Sequence, residues 1–279
     1  MRLSEMKQLL SERQILLTKS LGQNFLHDGN QLRRILAAAE LDGSDKVLEI
    51  GPGLGPLTTL LVEQAAEVLA IEKDARLVDL LKQDRRKKGS AGQLQIVHTD
   101  ALDFLKKETR DWSEWKLVAN LPYAIASPIL VEMALAEHGP KRMVVTLQLE
   151  VARRLMARPG EADYGVLTVL VELSYQRTVF FKISASCFFP EPRVDSACVC
   201  LVRRPQPLLA PALKQVFVQI VKRSFSQRRK MMGKLLKEDW PAETLDGAFE
   251  DLRLPPKTRA EEVSSEQFAR LAELLMRKQ

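Results

Sequence analysis

Lys46-Val-Leu-Glu-Ile-Gly-Pro-Gly-Leu-Gly55 is the stretch that decides the fold. Its first five residues read as a short apolar strand, its glycines as a turn, and Leu57 to Gln64 behind them as a helix, which together make half of a nucleotide-binding βαβ unit. Glycine lets backbone approach a ligand closely, and the start of the helix leaves N–H groups free to point at one. The spacing of Gly51, Gly53 and Gly55 is GxGxG, not the GxGxxG of dinucleotide sites. To either side the same grammar repeats. An amphipathic helix, about Gln31 to Ala39, comes first, and Val68 to Glu72 is a second strand, ending in an acid 21 positions after Gly51. Leu94 to His98 leads to Asp100, Lys116 to Ala119 leads to Asn120, and Met143 to Gln148 is a fifth strand with the helix Glu150 to Met156 after it. Leu167 to Ser174, Thr178 to Ile183 and Ala197 to Val202 supply β-rich pieces to finish the sheet. The expected fold is α/β, an open Rossmann-like sheet that binds ligands at the carboxyl ends of its strands.

At 279 residues the chain suits one large domain or a large one with a small one. Basic residues number 42 against 36 acidic, and a net charge of +6 with a pI near 9.2 is compatible with a polyanionic partner. No apolar run approaches the ~18 residues of a membrane span, and the N-terminus carries no apolar signal core. Cys187, Cys198 and Cys200 have neither metal-site spacing nor an even count, and His27, His98 and His138 form no ligand pattern. Reduced cysteines, a cytoplasmic location and no metal are therefore expected. Residues 1 to 20 alternate charge and leucine like a loose helix or a tail, and Lys82 to Lys88 reads as a solvated charged loop. A proline-rich linker runs from Pro205 to Pro211, and the pattern beyond it is helical. The expected domains are 1–204, with 1–20 as an extension, and 205–279. With no long exposed apolar face in the pattern, a monomer is expected.

The chemistry is expected at Asn120-Leu-Pro-Tyr123, where an apolar strand ends in polar groups. Pro122 has no N–H to give a ladder and holds Leu121 extended. This tetrapeptide resembles the signature of methyltransferases that modify a planar exocyclic nitrogen. The lone pair of such a nitrogen is delocalised, so it attacks poorly until something draws it toward a tetrahedral shape. The Asn120 side-chain oxygen and the Pro122 carbonyl can accept its two hydrogens and bind more strongly as positive charge develops, which lowers the barrier. Tyr123 would stack on the base. Phe188 or Phe189, in a loop stiffened by Pro190 and Pro192, could cover the other face. Between Leu213 and Leu236, Lys222, Arg223, Arg228, Arg229, Lys230 and Lys234 occur without an acid, a pattern that suits a phosphate-binding helix pair.

Taken together, Leu21-Gly-Gln-Asn-Phe-Leu26, Glu49-Ile-Gly-Pro-Gly-Leu-Gly55, Asn120-Leu-Pro-Tyr123, Phe188-Phe-Pro-Glu-Pro-Arg-Val-Asp-Ser196 and Phe225-Ser-Gln-Arg-Arg-Lys230 resemble the KsgA-type ribosomal RNA adenine dimethyltransferases. The resemblance implies a class I S-adenosylmethionine (SAM) methyltransferase sheet with a small C-terminal all-helical domain. It implies transfer of two methyl groups to N6 of each of two adjacent adenines near the 3′ end of 16S rRNA, in the 30S subunit or its precursor. On this resemblance Asn24 and Leu26 close over the cofactor, and Gly51, Gly53, Glu72, Asp100 and Asn120 hold it. Asn120, Leu121, Pro122 and Tyr123 hold the base, with Phe188 as the aligned stacking ring and Phe189 left to the core. Lys222, Arg223, Arg228, Arg229 and Lys230 would meet RNA. Two positions depart from the pattern: Ala124 stands where asparagine is frequent, and Met231-Met-Gly-Lys234 replaces a Thr-Leu-Arg-Asn type segment. An Erm-type 23S rRNA methyltransferase and a non-catalytic ribosome-assembly factor of the same fold are the alternatives.

Overall fold

Short apolar runs, four of them closed by a glycine, an acid or an asparagine, form parallel strands where the sequence predicts them. The computed structural model describes every residue except 18–21, 89–92 and 278–279. Helix α1 (Leu3–Glu12), the two-residue strand β1 (Phe25–Leu26) and helix α2 (Gly29–Ala39) come first. Strand and helix then alternate through β2 (Lys46–Ile50), α3 (Pro56–Gln64), β3 (Glu67–Glu72), α4 (Ala75–Lys88), β4 (Gln93–His98), α5 (Ala101–Lys107), β5 (Trp115–Asn120), α6 (Ala126–Leu135) and β6 (Arg142–Gln148). Helices α7 (Leu149–Met156) and α8 (Val166–Glu172) lead to β7 (Tyr175–Ile183), β8 (Phe188–Phe189) and β9 (Ser196–Arg203). The chain closes with α9 (Lys214–Ser224), α10 (Met232–Leu236), α11 (Ala242–Asp251) and α12 (Ser265–Arg277).

The main sheet has seven strands in the order β4-β3-β2-β5-β6-β9-β7. Strands β4 through β6 of that order run parallel, and β9 joins β6 antiparallel. Strands β2, β3, β5 and β6 are buried along nearly their whole length, as a parallel sheet covered on both faces requires. From β2 the chain steps outward to β4 and then returns to β5 on the other side of β2. The strand order thus reverses between β2 and β5, and their carboxyl ends, Gly51 and Asn120, flank the crevice where such sheets bind ligands. At the opposite ends of the same two strands Asp45, 2% exposed, accepts from Lys116 Nζ at 2.7 Å and pairs with Lys141 Nζ at 2.9 Å. That buried knot holds the amino ends together.

Several local expectations are corrected. Residues 166–172 are the helix α8, not a strand: Thr168 to Val171 are buried, and a uniformly apolar run does not separate a buried strand from a buried helix. Lys82 to Lys88 continue α4 instead of looping, since straight-chain charged residues propagate helices well. Of the two readings of residues 1–20, helix or tail, the helix is found over Leu3–Glu12 as α1, which buries Met6 and Leu10; Leu21 of the first motif lies outside the described residues.

The chain divides into two compact units. The first comprises 1–133, 138–152 and 177–203; the second takes in 134–137 and 153–176 along with 204–279. One boundary falls between Arg203 and Arg204, one residue before the expected end of the first domain at 204, and α8 lies in the helical unit instead of the sheet. Phe217, Ile220, Phe268 and Leu275 are fully buried in the second unit's own core. No helix among the described residues is long and apolar enough to cross a membrane.

Candidate active site

One cavity in the first unit gathers the expected residues. Its wall contains Asn24, Leu26, Gly51, Gly53, Glu72, Asp100, Asn120, Leu121, Pro122 and Tyr123. The glycine loop is built from left-handed backbone, with φ of +70° at Gly51, +61° at Gly53 and +81° at Gly55, conformations that side chains resist. Space is as demanding as angle. A Cβ on Gly53 would stand 2.6 Å from the Phe25 ring, and one on Gly51 would stand 3.1 Å from Pro122 Cγ, so the loop and the Asn-Leu-Pro-Tyr turn touch across the crevice.

Glu72 ends β3 at the cavity wall, 7% exposed. Its Oε2 accepts the Gly53 N–H at 3.1 Å and its Oε1 accepts the N–H groups of Lys73 and Asp74, both at 2.9 Å. Three of the roughly four acceptor sites of the carboxylate are thus used to bind the glycine loop to the end of β3. Burial outweighs these bonds and raises its pKa. One lone-pair direction is left open. Asp100 caps α5: Oδ1 accepts from Leu102 N at 2.9 Å and Asp103 N at 3.2 Å, while Oδ2 lies 2.9 Å from Lys73 Nζ. The Lys73 ammonium is the first cause of its lowered pKa.

Asn120 is the most informative group. Its Nδ2 donates to the Asn24 carbonyl at 2.9 Å, which fixes the amide orientation, because a carbonyl accepts from nitrogen and repels oxygen. Its Oδ1 is buried and has no hydrogen-bond partner. Leu121 is 1% exposed and donates its N–H to the Thr146 carbonyl at 3.2 Å, so its contribution is to anchor the turn on β6. The Pro122 carbonyl accepts Ile125 N at 3.1 Å, leaving one of its two lone pairs open. Tyr123 hydrogen bonds through its hydroxyl to Ser196 Oγ at 2.8 Å, and burial raises its pKa, so the ring is held as a neutral phenol.

Phe188 is not brought to the cavity wall. It is 3% exposed, pairs with Leu26 across the β1–β8 ladder, and packs in the core with Leu26, Leu32 and Ile183. Strand alternation sends Phe189 the other way, toward Phe25 and α1. Phe188 thus supports Leu26 from behind, and neither ring forms part of the cavity wall. Three further residues inside the same motifs have roles that the sequence alone does not single out. Ser196 anchors Tyr123, Phe25 fills the space over Gly53, and Gln23 donates to Asp74 Oδ2 at 2.9 Å. A serine at the end of a motif and a phenylalanine directly after a polar run, Gln23-Asn24, are the signals that point to two of them.

In the second unit Lys222, Arg228, Arg229 and Lys230 are exposed. Arg223, half-buried, is engaged by carboxylates of its own unit: its Nε lies 2.7 Å from Asp239 Oδ2 and its Nη1 lies 2.8 Å from Glu238 Oε2. The acids it needs sit just beyond the run that looks purely basic. Arg228 donates to the Ala162 carbonyl at 2.8 Å.

An open α/β sheet with a left-handed glycine loop, an acid closing the next strand and an Asn-Leu-Pro-Tyr turn across the crevice defines a class I methyltransferase, the SAM-dependent kind. The family model for ribosomal RNA adenine dimethylase matches residues 16–277. The chain belongs to that family. It is 39% identical to the Ribosomal RNA small subunit methyltransferase A of Chlamydia caviae, over 92% of this chain and 91% of that one. To the protein of the same name from Geobacillus thermodenitrificans it is 37% identical, over 97% and 94%. Among solved structures it is similar to a dimethyladenosine transferase from Plasmodium falciparum, with a TM-score of 0.73, 26% identity and coverage of 88% and 95%. It is also similar to the 23S rRNA methyltransferase ErmE, with a TM-score of 0.68, 31% identity and coverage of 90% and 99%.

Proposed function

We propose that this protein is a cytoplasmic SAM-dependent dimethyltransferase of small-subunit ribosomal RNA, converting two adjacent adenines near the 3′ end of 16S rRNA to their N6,N6-dimethyl forms within the 30S subunit or its precursor. The observation that carries the reading is Asn120 Oδ1, a buried acceptor with a fixed direction and no partner in the protein, in the wall it shares with the glycine loop. The relatives named for the small subunit, at 37% and 39% identity over nearly the whole chain, support the small-subunit substrate over the large.

The residues present fit the cofactor. Three left-handed glycines leave room beside α3, Glu72 keeps one acceptor direction open, and Asp100 stands at the end of β4 with a displaceable lysine on it. Bound there, SAM supplies an electrophilic methyl group. Everything else is asked of the chain. Tyr123, its hydroxyl fixed by Ser196, offers a flat face to an unpaired or flipped adenine. Asn120 Oδ1 and the free lone pair of the Pro122 carbonyl accept the two amino hydrogens and strengthen as the nitrogen becomes cationic. No general base is needed, since the methylated, protonated nitrogen is itself strongly acidic. After one transfer a single N–H remains to be held, and after two none, so the product leaves.

Primer-extension mapping of undermethylated ribosomal subunits, treated with the protein and SAM, tests this reading. Stops at two adjacent adenines of small-subunit rRNA are expected. Stops confined to large-subunit rRNA would make it an Erm-type enzyme, and absence of transfer to either subunit would make it an assembly factor.

A further inference from the structure

The short segment Gly22 to Leu26 is tied down at successive residues, and each tie reaches a different part of the site. Gln23 Nε2 donates to Asp74, two positions beyond Glu72. Asn24 donates its own Nδ2 to the Gly22 carbonyl at 3.1 Å, closing a turn whose first residue has φ +61°, and its backbone carbonyl receives Asn120 Nδ2. Phe25 lies flush on Gly53, and Phe25 and Leu26 pair with Phe189 and Phe188. Helix α1 closes over this from outside. Met6, fully buried, and Leu10 pack in one cluster with Phe25 and Leu54 of the glycine loop, and Lys7 Nζ sits 5.3 Å from the centre of the Phe189 ring. This helix lies before residue 16, where the family match begins.

Orientation is what the acceptor most needs. Rotated half a turn about its last bond, the Asn120 amide would aim N–H groups at the substrate amine, donor against donor, and the acceptor would be gone. The Asn24 carbonyl distinguishes the two rotamers, accepting nitrogen and repelling oxygen. That carbonyl belongs to the residue before Phe25, whose ring is seated on the glycine loop, the loop proposed above to hold the cofactor. We propose that segment 22–26, backed by α1, is the positioning element for Asn120, so that completing the cofactor site sets the acceptor of the base site. Phe25 and the Asn24 backbone are positioning groups here, acting through Asn120. The inference rests on the function proposed above for Asn120, and it adds an order: a base is held productively only after the segment is down.

Phe25→Ala tests it, read three ways: turnover on undermethylated small subunits at saturating SAM, affinity for S-adenosylhomocysteine by calorimetry, and the Asn120 side-chain amide signals in a ¹H–¹⁵N spectrum. Saturating SAM removes any loss of cofactor affinity from the comparison. Turnover is expected to fall about tenfold or more, the scale on which lost orientation is felt, with a smaller change in KM for the subunit. The Asn120 amide pair is expected to move toward the shifts of a free amide, and Phe25→Leu, which keeps an apolar wedge on Gly53, should restore most of both. Unchanged turnover in Phe25→Ala overturns the proposal, as does a fall in turnover with the Asn120 signals unmoved. If Phe25→Ala gives no cooperative melt, Met6→Ala, outside the cavity wall, is judged by the same turnover and amide readouts. Failure of the underlying functional reading looks different: Asn120→Ala in the otherwise unaltered chain would then methylate as well as the parent.

Discussion

A buried oxygen left without a partner costs a core about 1–3 kcal/mol; Asn120 Oδ1 is such an oxygen, and on the proposed function the fold carries that cost for its chemistry. Asn120→Ala should lower turnover at saturating SAM by about 10²–10³-fold, the usual effect of losing a group that stabilises developing charge. Affinity for S-adenosylhomocysteine should change far less, and comparable turnover of variant and parent would remove the role. Asn120→Asp is the sharper substitution. It keeps an acceptor but sets an oxygen against the Asn24 carbonyl, so it should be nearly as impaired as the alanine variant. Glu49 makes a prediction about pH. It is 1% exposed in β2, and burial, with a smaller push from Glu72, raises its pKa to about 8. The unfolded chain releases that proton near pH 4.5, so between pH 4.5 and 8 the folded state binds more protons and loses stability as pH rises. Glu49→Gln removes the titration. Its melting temperature, taken without cofactor, should match the parent's near pH 4.5 and exceed it increasingly toward pH 8, by about 2–4 °C for each kcal/mol relieved. Equal slopes in the two proteins would show that Glu49 ionises freely. On the acid side the sign reverses: Asp74, held down to about 2 chiefly by Arg76, contributes stability that is lost as pH falls from about 4 toward 2.

Elements whose residues answer to one neighbour are legible in the sequence; those that answer to several are not. Strands β2, β3 and β5 each pair an apolar run with a closing residue of definite chemistry, and the run and the closure point to the same place. That agreement is why spacing alone sets Gly51, Glu72, Asp100 and Asn120 around one crevice. Helix α8 is the contrary case. Val166-Leu-Thr-Val-Leu-Val171 has strand composition, but its surroundings in the second unit bury every face of its centre, and tertiary packing decides what local propensity cannot. Phe188 and Phe189 escape the sequence for a related reason: adjacent aromatics in a strand face opposite ways, and which faces the site depends on the register with β1, which no local pattern encodes. Arg223 shows the limit for charge. Within residues 213–236 it looks like one cation among several, but the turn after α10 returns Glu238 and Asp239 to it. Arg223→Ala should therefore lower the melting temperature by a small, measurable amount, since solvent screens the pair but its forked geometry spans two carboxylates. Lys222→Ala, on the exposed face of the same helix, should leave the melt where it is. Equal melting temperatures for the two variants would show that the Arg223 ion pairs carry no stability.

Charge distribution across the chain governs how it meets a polyanion. The net +6 is small, because 36 acids offset 42 bases. What a phosphate backbone feels is therefore the set of cations not already engaged within the protein. Arg223, Lys116 and Lys141 are spent on carboxylates, and Lys73 on Asp100. Lys222, Arg229 and Lys230 are exposed, and the described residues offer them no ion pair. Each of these that touches a phosphate releases counterion, contributing about 0.7–0.9 to the slope of log affinity against log salt. Replacing all three with alanine should flatten that slope by about 2–3 and weaken binding of small-subunit RNA most at low salt. The isolated methyl-transfer chemistry has no reason to change: turnover of the variant on saturating subunits should stay close to the parent's while KM rises. Arg223→Ala, in contrast, should leave the salt slope intact. A slope unchanged by the triple substitution would place the phosphate contacts elsewhere on the protein, and a slope reduced by Arg223→Ala would mean that its ion pairs open to receive RNA.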